Sequence, residues 1–176
     1  MLAGKVRIGP DLDYLERAFD HAKYGRFSTA PWIEFTMPSL GDPTLAPPGS
    51  HVLSAYAQFA PYQLRGGNWE TSRDALGDVV VKTLTQYAPD LGSLIVERQT
   101  ITPLDLERGW GLTGGHIFHG ELSLDQFFTM RPLLGFGQYR TPLKGLFLCG
   151  SGSHPGTGLT GGSGMNAARE IARELA

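Results

Sequence analysis

Residues 145–168 read GLFLCGSGSHPGTGLTGGSGMNAA, and this stretch decides how the last part of the chain folds. The apolar run 145–150 predicts a buried strand, the glycines that follow predict a turn, and the pattern of residues 161–176 predicts a helix. Glycine permits positive φ and a close approach of backbone to a ligand. Because the helix begins at the turn, its unpaired N–H groups and positive dipole end favour an electron-rich ligand atom there.

Within this stretch, residues 156–161 match the pattern Gly-x-Gly-x-x-Gly, which is typical of dinucleotide-binding turns between a strand and a helix. A self-sufficient site also needs another strand and an acidic residue about 20 positions further on, yet 15 residues follow Gly161. The turn is also long, with ten residues between Gly150 and Gly161. Two interpretations stay open: a loop that completes a site built elsewhere, which we favour, and a glycine-rich loop that merely caps a helix.

The rest of the chain predicts helices and an antiparallel sheet, and hence an α+β fold. Asp11 can cap an amphipathic helix over residues 11–24, and Gly25 suits its end. The runs 31–38 and 51–59 alternate apolar and polar residues, which predicts two antiparallel strands. Further elements are a helix over residues 69–87, a strand over residues 93–101, and a short helix from Thr102 with Pro103 at its first position.

Composition excludes several classes of function. The chain has 176 residues, a net charge of -2 and 41% hydrophobic residues, so it lacks the basic surface that nucleic acid requires. No apolar run is long enough for a transmembrane helix, and no signal-like stretch follows Met1. The single cysteine, Cys149, excludes a disulfide framework and is expected to be a buried small apolar residue. We therefore expect a cytoplasmic protein.

Individual polar side chains predict no complete catalytic or metal site. His116 and His119 are three residues apart but lack a third metal ligand. Ser151 and Ser153 lack the surroundings of a hydrolase nucleophile. His154, which precedes a proline, is expected to orient the loop by hydrogen bonding. Arg131 is expected to form an ion pair or to bind backbone carbonyls.

The glycine-rich stretch resembles the closing flavin motif of the phytoene-desaturase-like FAD-dependent oxidoreductases, which runs Gly-x-Gly-x-His-Pro-Gly-x-Gly-x-x-Gly between a strand and a helix. The residues that fit this motif are Ser151, Gly152, Ser153, His154, Pro155, Gly156, Gly158 and Gly161. Segments 42–52, 58–62 and 114–126, and the pair Arg131-Pro132, are similar to other parts of the same family. The resemblance therefore spans nearly the whole chain.

The resemblance implies a substrate-domain portion over residues 1–130 and a closing segment of an FAD-binding domain over residues 131–176. It also implies that the cofactor-contacting residues are Gly150, Ser151, Gly158, Leu159, Thr160, Gly161 and Gly162. In this family an amino-terminal βαβ unit binds the ADP half of FAD, and residues 1–60 contain no such pattern. The chain alone is therefore expected not to retain FAD.

The function that follows from the resemblance is oxidation or desaturation of an apolar small molecule, in combination with an amino-terminal FAD-binding half. The chain would pack against that half or self-associate. No catalytic residue is assigned, because the flavin ring itself accepts the electrons. The alternative is a ligand-binding or protein-interaction module that derives from the same family but has lost redox chemistry.

Overall fold

The computed structural model describes residues 4–156 and 158–176. Packing divides the chain into two compact units, the first ending at Pro103 and the second covering Leu104–Ala176. The boundary predicted from the sequence, between residues 130 and 131, separates a substrate portion from a flavin-binding portion. Packing does not test it, so it stays a prediction. The combination of helices with an antiparallel sheet confirms the mixed α and β character that the sequence predicts.

Helix α1, Leu12–Lys23, forms as the sequence predicts, because both of its ends carry suitable residues. The Asp11 carboxylate accepts a hydrogen bond of 2.7 Å from Tyr14 N, which satisfies one of the donors that a helix start leaves unpaired. The helix ends at Tyr24, and Gly25 follows with φ +71°. A residue without a side chain adopts this left-handed conformation at little cost, so the position suits glycine.

The sheet of the first unit has three antiparallel strands in the order β1 (Val6–Ile8), β2 (Trp32–Thr36) and β3 (Ser54–Gln58). The structure confirms β2 and β3, whereas β1 is too short to show an alternating pattern in the sequence. Ile33 of β2 lies opposite Ile8 and Ala57, so the central strand brings apolar side chains from both neighbours together. Ile8, Ile33 and Leu84 form the buried core of this unit.

Helix α2, Trp69–Thr85, supplies Leu84 to that core and confirms the second helix that the sequence predicts. Its start is capped by Asn68, whose side chain accepts a hydrogen bond of 2.9 Å from Thr71 N. Trp69 is buried at the first position, and its indole N–H donates to the carbonyls of Pro61 and Tyr62. The cap and the buried tryptophan together fix where the helix begins.

The predicted strand over residues 93–101 is wrong. The chain instead forms a single turn of helix, α3 (Leu91–Leu94), and then runs without regular structure to Thr102. Val96 is 96% exposed, and the segment is tied to α2 by side chains: Arg73 donates to the carbonyl of Thr100 at 3.0 Å, and Arg98 pairs with Asp78 at 2.8 Å. These contacts hold the segment along the helix, where it has no strand to pair with.

In the second unit, α4 (Pro103–Trp110) and α5 (Gly162–Leu175) confirm the predicted helices, and short 3-10 turns connect them. The strand predicted over residues 145–150 is wrong, because within this fully described stretch only Phe147 makes a bridge, with Arg140. Leu146 and Leu148 are 49% and 37% exposed. Cys149 is also exposed, so the expectation that it is buried is wrong as well. A strand needs neighbours on its edges, and the described residues supply a single bridge.

The helices of the described residues include none that is both long enough and apolar enough to cross a bilayer.

Candidate functional site

The loop before α5 presents bare backbone to the outside of the second unit. We call residues 150–161 the closing loop; the structure describes all of them except residue 157. Gly156, Gly158 and Gly161 have φ values of +85°, +94° and +69°. A Cβ built on Gly158 or Gly161 would meet no described atom within 4 Å. The positive φ therefore requires glycine at these positions, while the space beside the backbone is open to a ligand.

The start of α5 lies at the end of this loop, next to the open glycines. Gly161 is the N-cap and has no side chain to accept from the first turn. Gly162 N donates to the hydroxyl of Thr160 at 3.2 Å, and Met165 N donates to the carbonyl of Gly161 at 2.9 Å. A helix start with no charged cap favours an electron-rich ligand atom.

The residues that the sequence predicts as cofactor contacts all lie in this loop and at the first position of α5. Gly150, Gly158, Leu159, Thr160 and Gly161 are exposed, and Ser151 and Gly162 are half-buried. Leu159 protrudes fully into solvent. The exposure and open backbone fit a surface that covers a flat ring, and the cofactor contact itself stays a prediction.

The two ends of the closing loop are fastened to each other. Ser153 N donates to the carbonyl of Gly150 at 2.9 Å, and the hydroxyl of Ser163 donates to the carbonyl of Ser153 at 3.3 Å. The ring of Pro155 lies close to Gly162, where an added Cβ would be 3.2 Å from the proline Cγ. The described part of the loop is therefore closed upon the helix start by short contacts.

His154 and Arg131 confirm the structural roles that the sequence predicts for them. His154 Nδ1 forms a hydrogen bond of 2.7 Å with the carbonyl of Phe128. The Arg131 guanidinium donates through Nη2 to the carbonyls of Phe118 and His119, the second at 3.1 Å. Arg131 thus binds backbone carbonyls, one of the two alternatives that the sequence left open for it.

Sequence reasoning missed a third contact that holds the closing segment. The Tyr139 hydroxyl accepts a hydrogen bond of 2.9 Å from the side chain of Asn166 in α5, and the Tyr139 carbonyl accepts one of 2.8 Å from Leu148 N. Tyr139 is buried and has φ +70°, which is costly for a residue with a side chain. No pattern in the sequence marks this pair, because the two residues are far apart in the chain.

His116 lies in the same unit with its pKa below the ordinary value. Burial lowers the pKa of the imidazole, the positive charge of Arg131 lowers it further, and Glu121 opposes both effects. Phe118 N donates to His116 Nδ1 at 3.2 Å, so this nitrogen carries no proton while the imidazole is neutral. Among the described residues, no group of three metal-binding side chains includes it or any other histidine.

We expect acid to destabilise the protein through His116. Because folding lowers its pKa below 6.5, the unfolded chain takes up the proton first, and stability is lost as pH falls from about 6.5 through the folded-state pKa. His116→Asn keeps an acceptor near the position of Nδ1 but does not titrate. Urea unfolding between about pH 7.5 and about pH 5 should therefore show a steeper loss for wild type than for the variant. Parallel profiles would contradict this prediction.

Comparison with known proteins places the chain in a family. No family model matches it. It is 47% identical over 163 residues to a mouse (Mus musculus) protein named pyridine nucleotide-disulfide oxidoreductase domain-containing protein 2, a match that covers 92% of the chain and 28% of the mouse protein. One of the limonene dehydrogenase subunits of Castellaniella defragrans is 32% identical over 142 residues, which cover 76% of the chain and 25% of that protein.

A phytoene desaturase (lycopene-forming) of Pseudescherichia vulneris is 30% identical over 136 residues, which cover 70% of the chain and 25% of that protein. The chain is homologous to the carboxy-terminal part of phytoene-desaturase-like oxidoreductases. It corresponds to the carboxy-terminal part of these relatives and spans between 25% and 28% of the length of these three proteins. The resemblance carried by the glycine-rich stretch is thereby confirmed at the level of the family.

Proposed function

We propose that this chain forms the carboxy-terminal part of an FAD-dependent oxidoreductase and that its closing loop covers the flavin ring. The observation that carries the proposal is the open backbone at Gly158 and Gly161, two positive-φ glycines at the start of α5, where the N-cap has no side chain. A flat ring can approach such a surface closely and place an electron-rich atom of its edge at the helix start, which it could not do if side chains stood there.

The flavin, when bound, accepts the electrons that leave the substrate. The chain's contribution is electrostatic and steric. Backbone N–H groups over residues 159–162 would hold the ring and stabilise negative charge on it, and Gly162 N would exchange its bond with the Thr160 hydroxyl for the ligand. Leu159 and the glycines around it would exclude water from the ring. No side chain of this chain is assigned a proton transfer.

We propose an apolar small molecule as the substrate, from which hydride is removed at carbon. The names of two relatives refer to limonene and phytoene, both of which are hydrocarbons. The second unit exposes large apolar side chains that suit such a molecule or a covering polypeptide, among them Leu133, Leu134 and Leu159, which are 62%, 67% and 106% exposed. Their exposure also leads us to expect self-association of the chain on its own.

The adenosine and pyrophosphate of FAD are proposed to bind to a separate amino-terminal half, because the relatives are three to four times longer than the region that this chain matches. In such an assembly this chain would contribute the flavin-covering surface and part of the substrate pocket.

The isolated chain is therefore expected to purify without stoichiometric flavin. A fusion to the remaining amino-terminal part of the mouse relative is expected to be yellow, because the ADP contacts are then supplied. Visible absorbance and extraction of the flavin after denaturation measure occupancy in both proteins. Stoichiometric flavin in the isolated chain would contradict the need for a second half, and a colourless but folded fusion would contradict the proposed function.

A further inference from the structure

Arg131 is almost completely buried, with 1% of its surface exposed, although it is charged. Its Nη2 donates to two successive carbonyls, those of Phe118 and His119. A buried guanidinium is costly to remove from water, so it persists only where its contacts offset that cost. These contacts fasten the backbone that follows His116 to the start of the Arg131-Pro132 segment.

The other side of the Arg131 side chain lies against the closing loop. A Cβ added to Gly156 would lie 3.1 Å from Arg131 Cδ and 3.4 Å from its Nε, and Gly156 is itself buried with φ +85°. Glycine therefore allows the loop backbone to pack directly on the arginine side chain. His154, two residues earlier in the loop, binds the carbonyl of Phe128. Arg131, which packs on Gly156, and His154 thus connect the loop to the backbone carbonyls of Phe118, His119 and Phe128.

The backbone that receives these bonds is itself in a costly conformation. His119 and Phe128 have φ values of +58° and +51° although neither is glycine. Such conformations persist where surrounding contacts hold them. Here the carbonyl of His119 is held by Arg131 and the carbonyl of Phe128 by His154. The same hydrogen bonds therefore connect the loop to its surroundings and hold the two residues that have positive φ.

Arg131 could either fill space or position the loop, and the two roles predict different effects of replacing it with an apolar residue. Its Nε and Nη1 are buried and have no hydrogen-bond acceptor among the residues that the structure describes. Unpaired buried donors are unfavourable, so an apolar side chain of similar length would be neutral or stabilising if arginine only filled space. The two carbonyl contacts are what an apolar side chain of similar length would lack.

We propose that Arg131 is a positioning residue that fixes the closing loop in the shape that α5 and its bare glycines present to a ligand. Its consequence for flavin rests on the proposed function, whereas its effect on the loop does not. Nη2 of the guanidinium binds the carbonyls of residues 118–119, and the Cδ–Nε part of the side chain packs against Gly156. We expect these contacts to keep the loop in one conformation before any ligand binds.

The first experiment measures amide hydrogen exchange of the closing loop in the 176-residue chain. Arg131→Met should raise loop exchange by about tenfold or more, the effect expected for lost hydrogen bonds to a charged donor. Exchange in α1 and α2 should not change. Arg140→Met is the matched control, because Arg140 belongs to the same unit but its ion pairs with Glu170 and Glu174 are partly exposed. It should change loop exchange by no more than about twofold.

Arg131→Lys tests whether the planar guanidinium group is needed, or only its positive charge. Lysine keeps the charge but cannot hold two carbonyls in a fixed plane, so loop exchange should lie between those of wild type and Arg131→Met. If Arg131→Met fails to fold, Arg131→Lys decides alone. Unchanged or slower loop exchange in a folded Arg131→Met, or in Arg131→Lys where methionine is not tolerated, would overturn the proposal in favour of simple packing.

The second experiment uses the flavin-loaded fusion with the amino-terminal part of the mouse relative. Arg131→Met should weaken flavin binding by about tenfold, and Arg131→Lys should restore part of the affinity and of the flavin fluorescence quenching. A wild-type fusion that binds no flavin would refute the proposed function but leave the exchange experiment to decide on Arg131. Faster loop exchange with unchanged flavin affinity would overturn the link between Arg131 and the cofactor.

Discussion

Replacing Gly161 with valine is expected to abolish flavin binding by the assembled protein and to leave most of the chain folded. Gly161 has φ +69°, a conformation that a β-branched residue adopts only at a cost of about 1–3 kcal/mol. An added Cβ would meet no described atom of the chain within 4 Å. The new side chain therefore enters the open space in which we place the ring, and steric exclusion of the ligand adds to the local strain.

Gly158→Val is expected to behave in the same way, because Gly158 has φ +94° and equally open surroundings. The matched control is Gly164→Ala, which also adds a Cβ in open space but lies inside α5. Alanine is a better helix former than glycine, so this variant should be stabilised by up to about 1 kcal/mol and should keep its flavin. The contrast separates a ligand-facing glycine from one that is merely exposed.

Ser163 would be a poor control, because it is only 7% exposed and its hydroxyl donates to the carbonyl of Ser153. Flavin occupancy from absorbance and folding from circular dichroism should be measured for each glycine variant. Unchanged occupancy in both valine variants would show that the closing loop does not touch the cofactor.

The elements that the sequence predicts well are those whose signals are local. Asp11 and Asn68 cap their helices with side chains that reach donors three residues ahead, so a short stretch of sequence contains the whole interaction. The left-handed glycines of the closing loop are local in the same sense, because φ is a property of one residue. Residue type therefore marks these positions as candidates, although Gly150 and Gly152 of the same loop do not have positive φ.

The two strands that were wrongly predicted show that a local sequence pattern is not sufficient to form a strand. Residues 93–101, which start with an apolar stretch, and the apolar run 145–150 are compatible with strands, but a strand forms only where another segment supplies hydrogen-bond partners. Arg73 and Arg98 instead tie the first run to α2, and the second run makes a single bridge with Arg140. Each outcome depends on a residue that is distant in sequence from most of the run.

The arrangement that holds the candidate site was only partly predictable for the same reason. An arginine before a proline suggests an ion pair or a carbonyl-binding role, and Arg131 has the second of these. Which carbonyls it binds, and that Gly156 packs on its flank, depend on how three segments meet. The positive φ values of His119 and Phe128 cannot be read from their residue types, because only a few per cent of non-glycine residues have positive φ, even though histidine is enriched among them.

Ile33→Ala is expected to cause a large loss of stability in the first unit. Ile33 is fully buried in the central strand, opposite Ile8 and Ala57, and removal of its side chain leaves a cavity that strands on both sides keep from collapsing. The free energy of unfolding should fall by about 2–5 kcal/mol, as measured by urea denaturation. Ile101→Ala is the matched control: Ile101 is 46% exposed, and its truncation should change stability by about 0.5 kcal/mol or less. Equal effects of the two substitutions would show that Ile33 does not lie in the core of the folded protein.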